Sequence, residues 1–266
     1  MALHKDEAIV LFKRSYGESD KIIRLFTLSS GKVAAIAKGA NKSQKRFANT
    51  LEPFNHIRVE YFEKYGRGMV RIENADIVET NSGIEKSLKR ACTAGFFVEF
   101  VDRLTKERER HDDLFNVLAE ALQGVRAAEF SYDDILHYQL RMLEVLGFMP
   151  NFHACVYCGQ AMAADEKIFF SKERGGVLCH RCAPSLPHQV CAKGVIEGIV
   201  SVQQGNGSTA PGFQAASGCA EKGPVYLNNG FEKAAQDIME GFMTFHLDVE
   251  FKSYRILKGL IATNSE

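Results

Sequence analysis

The sequence predicts an α+β chain in two parts: a small five-stranded barrel first, then an α-helical domain carrying a cysteine-rich insert. Three observations lead there. Apolar residues recur with a period of two up to about residue 80 and with a period of about 3.6 beyond it. Four of the seven cysteines fall in two Cys-x-x-Cys pairs. The length of 266 residues exceeds the ~100 to 200 typical of one domain, so about two domains are expected.

The barrel strands are read over Ala8-Ile-Val-Leu-Phe-Lys13, Ile22-Ile-Arg-Leu-Phe-Thr27, Lys32-Val-Ala-Ala-Ile-Ala-Lys38, His56-Ile-Arg-Val-Glu-Tyr-Phe62 and Met69-Val-Arg-Ile-Glu73. Turn formers separate them: Tyr16-Gly-Glu-Ser19, Ser29-Ser-Gly31 and Tyr65-Gly-Arg-Gly68. Five short strands in ~70 residues fit a small barrel. The OB-fold is the common one with a nucleic-acid-binding face, and strand count alone does not separate it from SH3-like barrels. Tyr16, Phe54, Tyr61 and Phe62 are expected in the barrel core.

At Ser82-Gly-Ile-Glu85 a capping box precedes the first helix, over 84 to 109, with Ile84, Leu88, Ala91, Cys92, Phe96, Phe100 and Leu104 at helical spacing. A second helix is expected over 112 to 128. A third opens at Ser131-Tyr-Asp-Asp134 and stops near Gly147, ahead of Pro150. Further helices are placed near 193 to 203, 231 to 247 and 250 to 260. The Gly/Ala/Ser-rich run at about 204 to 224 has no charged side chain until Glu221 and reads as a mobile surface loop. These boundaries give a barrel domain over 1–80 and a helical domain over 81–266, the latter with a cysteine module at about 151–190.

Cys155-Val-Tyr-Cys158 and Cys179-His-Arg-Cys182, twenty residues apart, have the spacing of a four-cysteine zinc site, with Cys155, Cys158, Cys179 and Cys182 as ligands. Two thiolates from each turn complete a tetrahedron at ~2.3 Å, and Lys167-Ile-Phe-Phe-Ser171 with Gly175-Gly-Val-Leu178 would form a hairpin between the knuckles. Other readings remain: metal-free thiols, a redox pair, or a catalytic zinc with an open position. A redox motif has no use for a second pair, and the nucleotide deaminase signature His-x-Glu with Pro-Cys-x-x-Cys is absent. Cys191 is a possible substitute ligand, whereas Cys92 and Cys219 read as a core and a loop residue.

Lys+Arg and Asp+Glu are both 33, yet the first 80 residues carry +4 and the remainder −4. Between Lys13 and Arg46 nine bases face two acids. That local +7 is what a phosphate backbone would feel. Lys38-Gly-Ala-Asn-Lys-Ser-Gln-Lys-Arg-Phe47 puts four cations and an aromatic in one loop, where Phe47 offers a stacking face. No apolar run approaches the ~18 to 20 residues that span a bilayer, and the opening residues have acids where a signal peptide would be apolar, so a cytoplasmic protein without a membrane partner is expected. No phosphate-binding Gly-x-x-x-x-Gly-Lys-Ser/Thr loop, Gly-x-Gly-x-x-Gly, Gly-x-Ser-x-Gly or His-Glu-x-x-His occurs, which argues against nucleotide hydrolysis and a small-molecule substrate.

Taken together, Tyr16-Gly-Glu-Ser-Asp-Lys-Ile-Ile-Arg-Leu-Phe-Thr27, Gly31-Lys, Ala37-Lys-Gly-Ala40 with its Lys/Arg/Ser-rich sequel, Leu51-Glu-Pro-Phe54, Leu140-Arg-Met-Leu-Glu144 with Leu146-Gly, and the two cysteine pairs resemble the RecO family of bacterial recombination mediators. The resemblance implies an N-terminal five-stranded OB-fold barrel followed by an α-helical domain with an inserted four-cysteine zinc module. It implies a non-catalytic protein of recombinational repair that binds single- and double-stranded DNA and anneals complementary strands. Such a protein works with RecR, and in many species RecF, to load RecA onto strands coated by SSB. Lys38, Lys42, Lys45 and Arg46 match the DNA-binding loop; Lys13, Arg14 and Arg24 are further candidates on the barrel. Arg141, with Arg103, corresponds to cationic helix positions for the SSB C-terminal tail. The cofactor implied is one structural Zn2+, and the location is the nucleoid. A zinc-containing scaffold or transcription factor for duplex DNA is the alternative; it would lose ~1 to 3 kcal/mol per altered base pair.

Overall fold

A computed structural model describes residues 2–43, 46–63, 68–80, 82–162, 167–205, 227 and 231–262. The turn at Tyr65, Lys45, Cys219 and nearly all of the Gly/Ala-rich run lie outside the described residues. Five strands, β1 (Ala2–Tyr16), β2 (Asp20–Thr27), β3 (Gly31–Ala37), β4 (His56–Glu63) and β5 (Val70–Glu79), close a barrel in the order β1-β2-β3-β5-β4. Neighbours run antiparallel except β3 with β5. This is the strand order of an OB-fold, which settles the choice between small barrels. Strand β1 starts six residues before the apolar run because its polar first half is held by pairing: Lys5 lies opposite Glu60 and His4 stacks on Tyr61 at 5.3 Å.

Ala8, Val10, Ile23, Leu25, Val33, Ala35, Ile57, Val59, Tyr61 and Ile72 fill the barrel. Phe47 belongs to this core too, at 2% exposure, so it offers no stacking face; Tyr16, expected inside, is 53% exposed. Both departures have one cause each. The chain after β3 folds back over the barrel mouth and buries Phe47 and Leu51. A bulge between Val10 and Phe12 shifts the register of β1, and after it Phe12 and Arg14 stand opposite Arg24 and Ile22, the outward neighbours of the buried Ile23 and Leu25.

The chain divides into two compact units, residues 1–129 with 251–257, and 130–250 with 258–266. In the first, the expected capping box does not form: the Ser82 N–H donates to Thr80 Oγ1, and a 3-10 turn, Ile84–Lys86, follows Gly83, whose N–H the Glu85 carboxylate accepts. Helix α1 (Leu88–Leu104) starts at its own cap, Ser87, and is followed by α2 (Asp112–Ala127). Phe100 stacks on Phe251 and Phe96 meets both edge to face, and the Glu99 carboxylate accepts from the N–H groups of Lys252 and Ser253, which suits an anion at a helix N-terminus. Those two residues open α6 (Lys252–Ala262).

The second unit holds α3 (Tyr132–Val145), α4 (Lys193–Gln203) and α5 (Glu232–Leu247), with a three-stranded sheet β7-β6-β8 from β6 (Lys167–Ser171), β7 (Gly176–Leu178) and β8 (Gln189–Ala192). Helix α3 opens at Ser131 as the sequence predicts, and Ser131 and Asp134 form a capping box there. Beside it, burial pushes the Asp133 carboxyl up to about 6, against the pull of the Leu227 N–H that donates to it at 3.2 Å. A folded pKa above the ordinary ~3.9 means that the folded state holds the proton more tightly. Its contribution is therefore full below pH ~4 and is lost as pH rises to about 6, on the order of 2 kcal/mol. Asp133→Asn should abolish that dependence and raise the melting temperature at pH 7; melts at pH 4 and pH 7 that change in parallel for both proteins would refute this.

Candidate metal centre and cationic surface

Each cysteine pair sits in a turn that the local sequence enforces. The Gly159 N–H donates to Cys155 O at 2.8 Å, and Cys155 N–H to Gln160 O at 2.8 Å, which winds the first knuckle. In the second, the Cys182 and Ala183 N–H groups both donate to Cys179 O at 3.0 Å and lead into a 3-10 turn, Ala183–Ser185. The expected hairpin, β6 with β7, carries one knuckle to the other, and Val156 N–H donates to Val177 O across it at 2.9 Å. Gly176 is required here: a Cβ would lie 2.5 Å from Asn151 O and from Val156 Cγ1. Strand β8 was not expected; Gln189-Val-Cys-Ala is too short to announce itself, and its pairing with β6 makes it a strand.

The four cysteine ligand atoms lie within 4.8 Å of one another, the sole such cluster among the described residues. Cys158 Sγ and Cys179 Sγ are 3.8 Å apart, and a tetrahedral ion with ~2.3 Å bonds to sulfur needs ~3.8 Å between ligands. The four cysteines are thus placed to hold a metal ion. Burial opposes ionisation of Cys155, yet N–H groups of Cys179, Cys158 and Tyr157 outweigh it and bring the thiol down to about 6. Cys179 is lowered by the Cys182 N–H, while Cys182, bonded to the Cys179 sulfur, is pushed up to about 12. Lowered thiols beside one that keeps its proton form a donor set suited to a cation. Cys191 stands outside the cluster, buried on β8 beside Gln189. Cys92 is in the core, as expected.

The basic loop leaves β3 at the end of the barrel. Gly39, at φ +70°, turns the chain so that its N–H donates to Asp20 Oδ1 at 2.9 Å, which with the Ser19 hydroxyl holds that carboxyl below its ordinary range. The Asn41 N–H donates to Ser19 O at 2.9 Å and ties the loop to the β1–β2 turn. Lys38 and Lys42 are exposed, and among the described residues neither ammonium has a hydrogen bond or an ion-pair partner; the same holds for Arg14 on β1. Arg46 is more engaged: it donates to Lys38 O at 2.6 Å, lies 3.9 Å from Glu73 and covers the Phe47 ring at 4.5 Å.

The other cations of the +7 segment are partly spent internally. Lys13 pairs with Glu52, and Arg24 with Asp102. Lys32 is buried, donating to the Asp102 and Thr105 carbonyls at the C-terminal end of α1. Its neighbour Gly31 is required there, since a Cβ would meet Glu109 O at 1.9 Å. The counter-charges lie 39 to 78 residues away in sequence, so no local count could find them. Of the helix cations, Arg103 is exposed on α1 near Glu99, and Arg141 on α3 lies over the Tyr138 ring at 5.5 Å. Arg90 donates to Arg126 O at 2.9 Å, the C-terminal turn of α2, which makes it a structural residue. Among the described residues no helix is long and apolar enough to cross a membrane.

Two family models match this chain: "Recombination protein O N terminal" over residues 1–81 and "Recombination protein O C terminal" over residues 85–194. Curated relatives carry the name "DNA repair protein RecO". That of Anaeromyxobacter dehalogenans (strain 2CP-C) is 30% identical over 250 residues, 94% of this chain and 93% of the relative. That of Thermoanaerobacter sp. (strain X514) is 29% identical over 271 residues, 98% and 99% of the two chains. That of Myxococcus xanthus (strain DK1622) is 34% identical over 212 residues, 79% and 86%.

Proposed function

The chain belongs to the recombination protein O family, whose function is DNA repair and recombination, and from that premise we propose that it is a non-catalytic strand-annealing and loading factor. In this reading the barrel, residues 1–80, binds single- and double-stranded DNA, and the helical domain, residues 81–266, serves partners. The observation that carries it is the basic loop after β3: Lys38 and Lys42 are exposed and, like Arg14 on β1, have no hydrogen-bond or ion-pair partner among the described residues. Lys45 and Arg46 extend the same run of charge, whereas Lys13 and Arg24, paired with Glu52 and Asp102, are secondary candidates. Two complementary strands repel through their phosphates. Cations that release counterions from both allow the strands to approach and pair, with no bond made or broken by the protein.

The same reading gives the quartet Cys155, Cys158, Cys179 and Cys182 one zinc in a closed, structural shell; four thiolates leave no position for a substrate. RecR, and RecF where present, are proposed as partners in placing RecA on strands coated by SSB. The acidic SSB tail, with its terminal carboxylate and aromatic ring, is assigned to a cationic helix position, with Arg141 and Arg103 as separate candidates. The location is cytoplasmic, at the nucleoid. The experiment is annealing of complementary strands with and without SSB. Wild type should accelerate annealing of both bare and SSB-coated strands, and Arg141→Glu should lose only the second. A protein that binds DNA and leaves annealing at the spontaneous rate would overturn the reading.

A further inference from the structure

We propose that the outer face of β1 and β2 is a base-stacking track for single-stranded DNA, with Phe12 and Tyr16 as platforms and Arg14 between them as the phosphate contact. The proposal rests on the DNA-binding reading above and names the side chains that would distinguish a single strand from a duplex.

The bulge in β1 creates the track. Before it, Ala8 and Val10 point into the barrel; after it, Phe12, Arg14 and Tyr16 occupy alternate positions on the outer face. Helices α1 and α2 cover one end of this face. Phe26 packs on Phe115 at 6.0 Å between ring centres, and Arg24 is drawn to Asp102. Past Arg24 the face is bare. Phe12 is 43% exposed, with the Arg24 guanidinium 5.8 Å from its ring centre, and Tyr16 is 53% exposed. Ile22 and Ile36, partly buried, continue the apolar floor on β2 and β3.

Charge identifies the occupant. Arg14 has no partner among the described residues, and the track ends at the β1–β2 turn, to which the basic loop is tied through Asn41 and Ser19. Aromatic rings separated by a cation, running onto Lys38 and Lys42, match bases separated by phosphates. At ~3.3 Å per residue the two rings are about 13 Å apart along the strand. In a duplex the base faces are covered by their own neighbours, so only an unpaired strand can offer them to protein rings.

The chain has no tryptophan, so Tyr16→Trp adds a single indole reporter. Its fluorescence should be quenched by a single-stranded oligonucleotide and not by a blunt duplex. Phe12→Ala and Tyr16→Ala should each weaken single-strand binding about tenfold, leave duplex affinity and the salt dependence unchanged, and melt with wild type. Tyr16→Phe, which keeps the ring, should bind as wild type. Absence of quenching, unchanged single-strand affinity in both alanine variants, or equal losses on single strand and duplex would overturn the track. A wild type that binds neither form would instead overturn the DNA-binding reading itself.

Discussion

Replacing Cys158 by serine, or stripping the protein with a strong chelator, is expected to unfold the module around β6, β7 and β8. The core around the sulfurs is small. Its apolar cluster comprises Cys155, Leu178, Cys179 and Ala183, with Val156, Phe169, Cys182 and Leu186 at the margin, so the ligand cysteines are themselves part of the small core. A structural zinc contributes on the order of 10 to 16 kcal/mol of apparent binding free energy in small peptides, far more than so few side chains supply by burial. Without a cation Cys182 keeps its proton, hydrogen-bonded to the Cys179 sulfur, and the thiolate set is incomplete. Purified protein should carry close to one zinc per chain, and amide exchange over 151–192 should become fast in Cys158→Ser while the barrel stays protected. Metal-free protein with wild-type exchange over that segment would remove zinc from the account. The barrel, whose core residues all precede residue 80, is expected to survive either treatment.

The sequence displayed the periodic elements well and the irregular ones poorly, and the difference is physical. All five barrel strands and six α-helices were expected near their positions, because burial of one face imposes period two or 3.6 on the residues that provide it. The first helix shows the limit. Ser82 and Glu85 have the spacing of a capping box, but Ser82 caps nothing and Ser87 makes the helical cap one turn later, by accepting from the Arg90 N–H. Pairing rather than pattern extends β1 back to Ala2 and creates β8.

For the sites, proximity in sequence decided what was visible. The cysteine quartet was legible because each pair is a local turn with its own spacing. The cationic loop was legible as a run of charge, but its effective charge was not, because Glu52 and Asp102 neutralise Lys13 and Arg24 from distant elements. The bulge at Val10 and Phe12 has no local signature. Its consequence, turning Tyr16 outward, reverses what alternation alone would give.

That separation of spent from unspent cations predicts which substitutions matter for DNA. Each phosphate contact on a single strand contributes about 0.7 to the slope of log affinity against log salt, whatever the base sequence. Arg14, Lys38 and Lys42 together should therefore account for a slope of about 2, and replacing all three by alanine should lower affinity roughly a hundredfold at 50 mM salt, with the difference closing as salt rises. Lys13→Ala should leave the slope near wild type, because its charge is already matched by Glu52. The comparison is sharper than loss of binding alone: an unfolded barrel would abolish binding at every salt concentration, whereas removal of exposed charge flattens the line and leaves the melting temperature in place. A triple variant with the wild-type slope would mean that these side chains are only a solvated rim, and a Lys13→Ala slope reduced as much as that of the triple variant would mean that its ion pair opens to the phosphate.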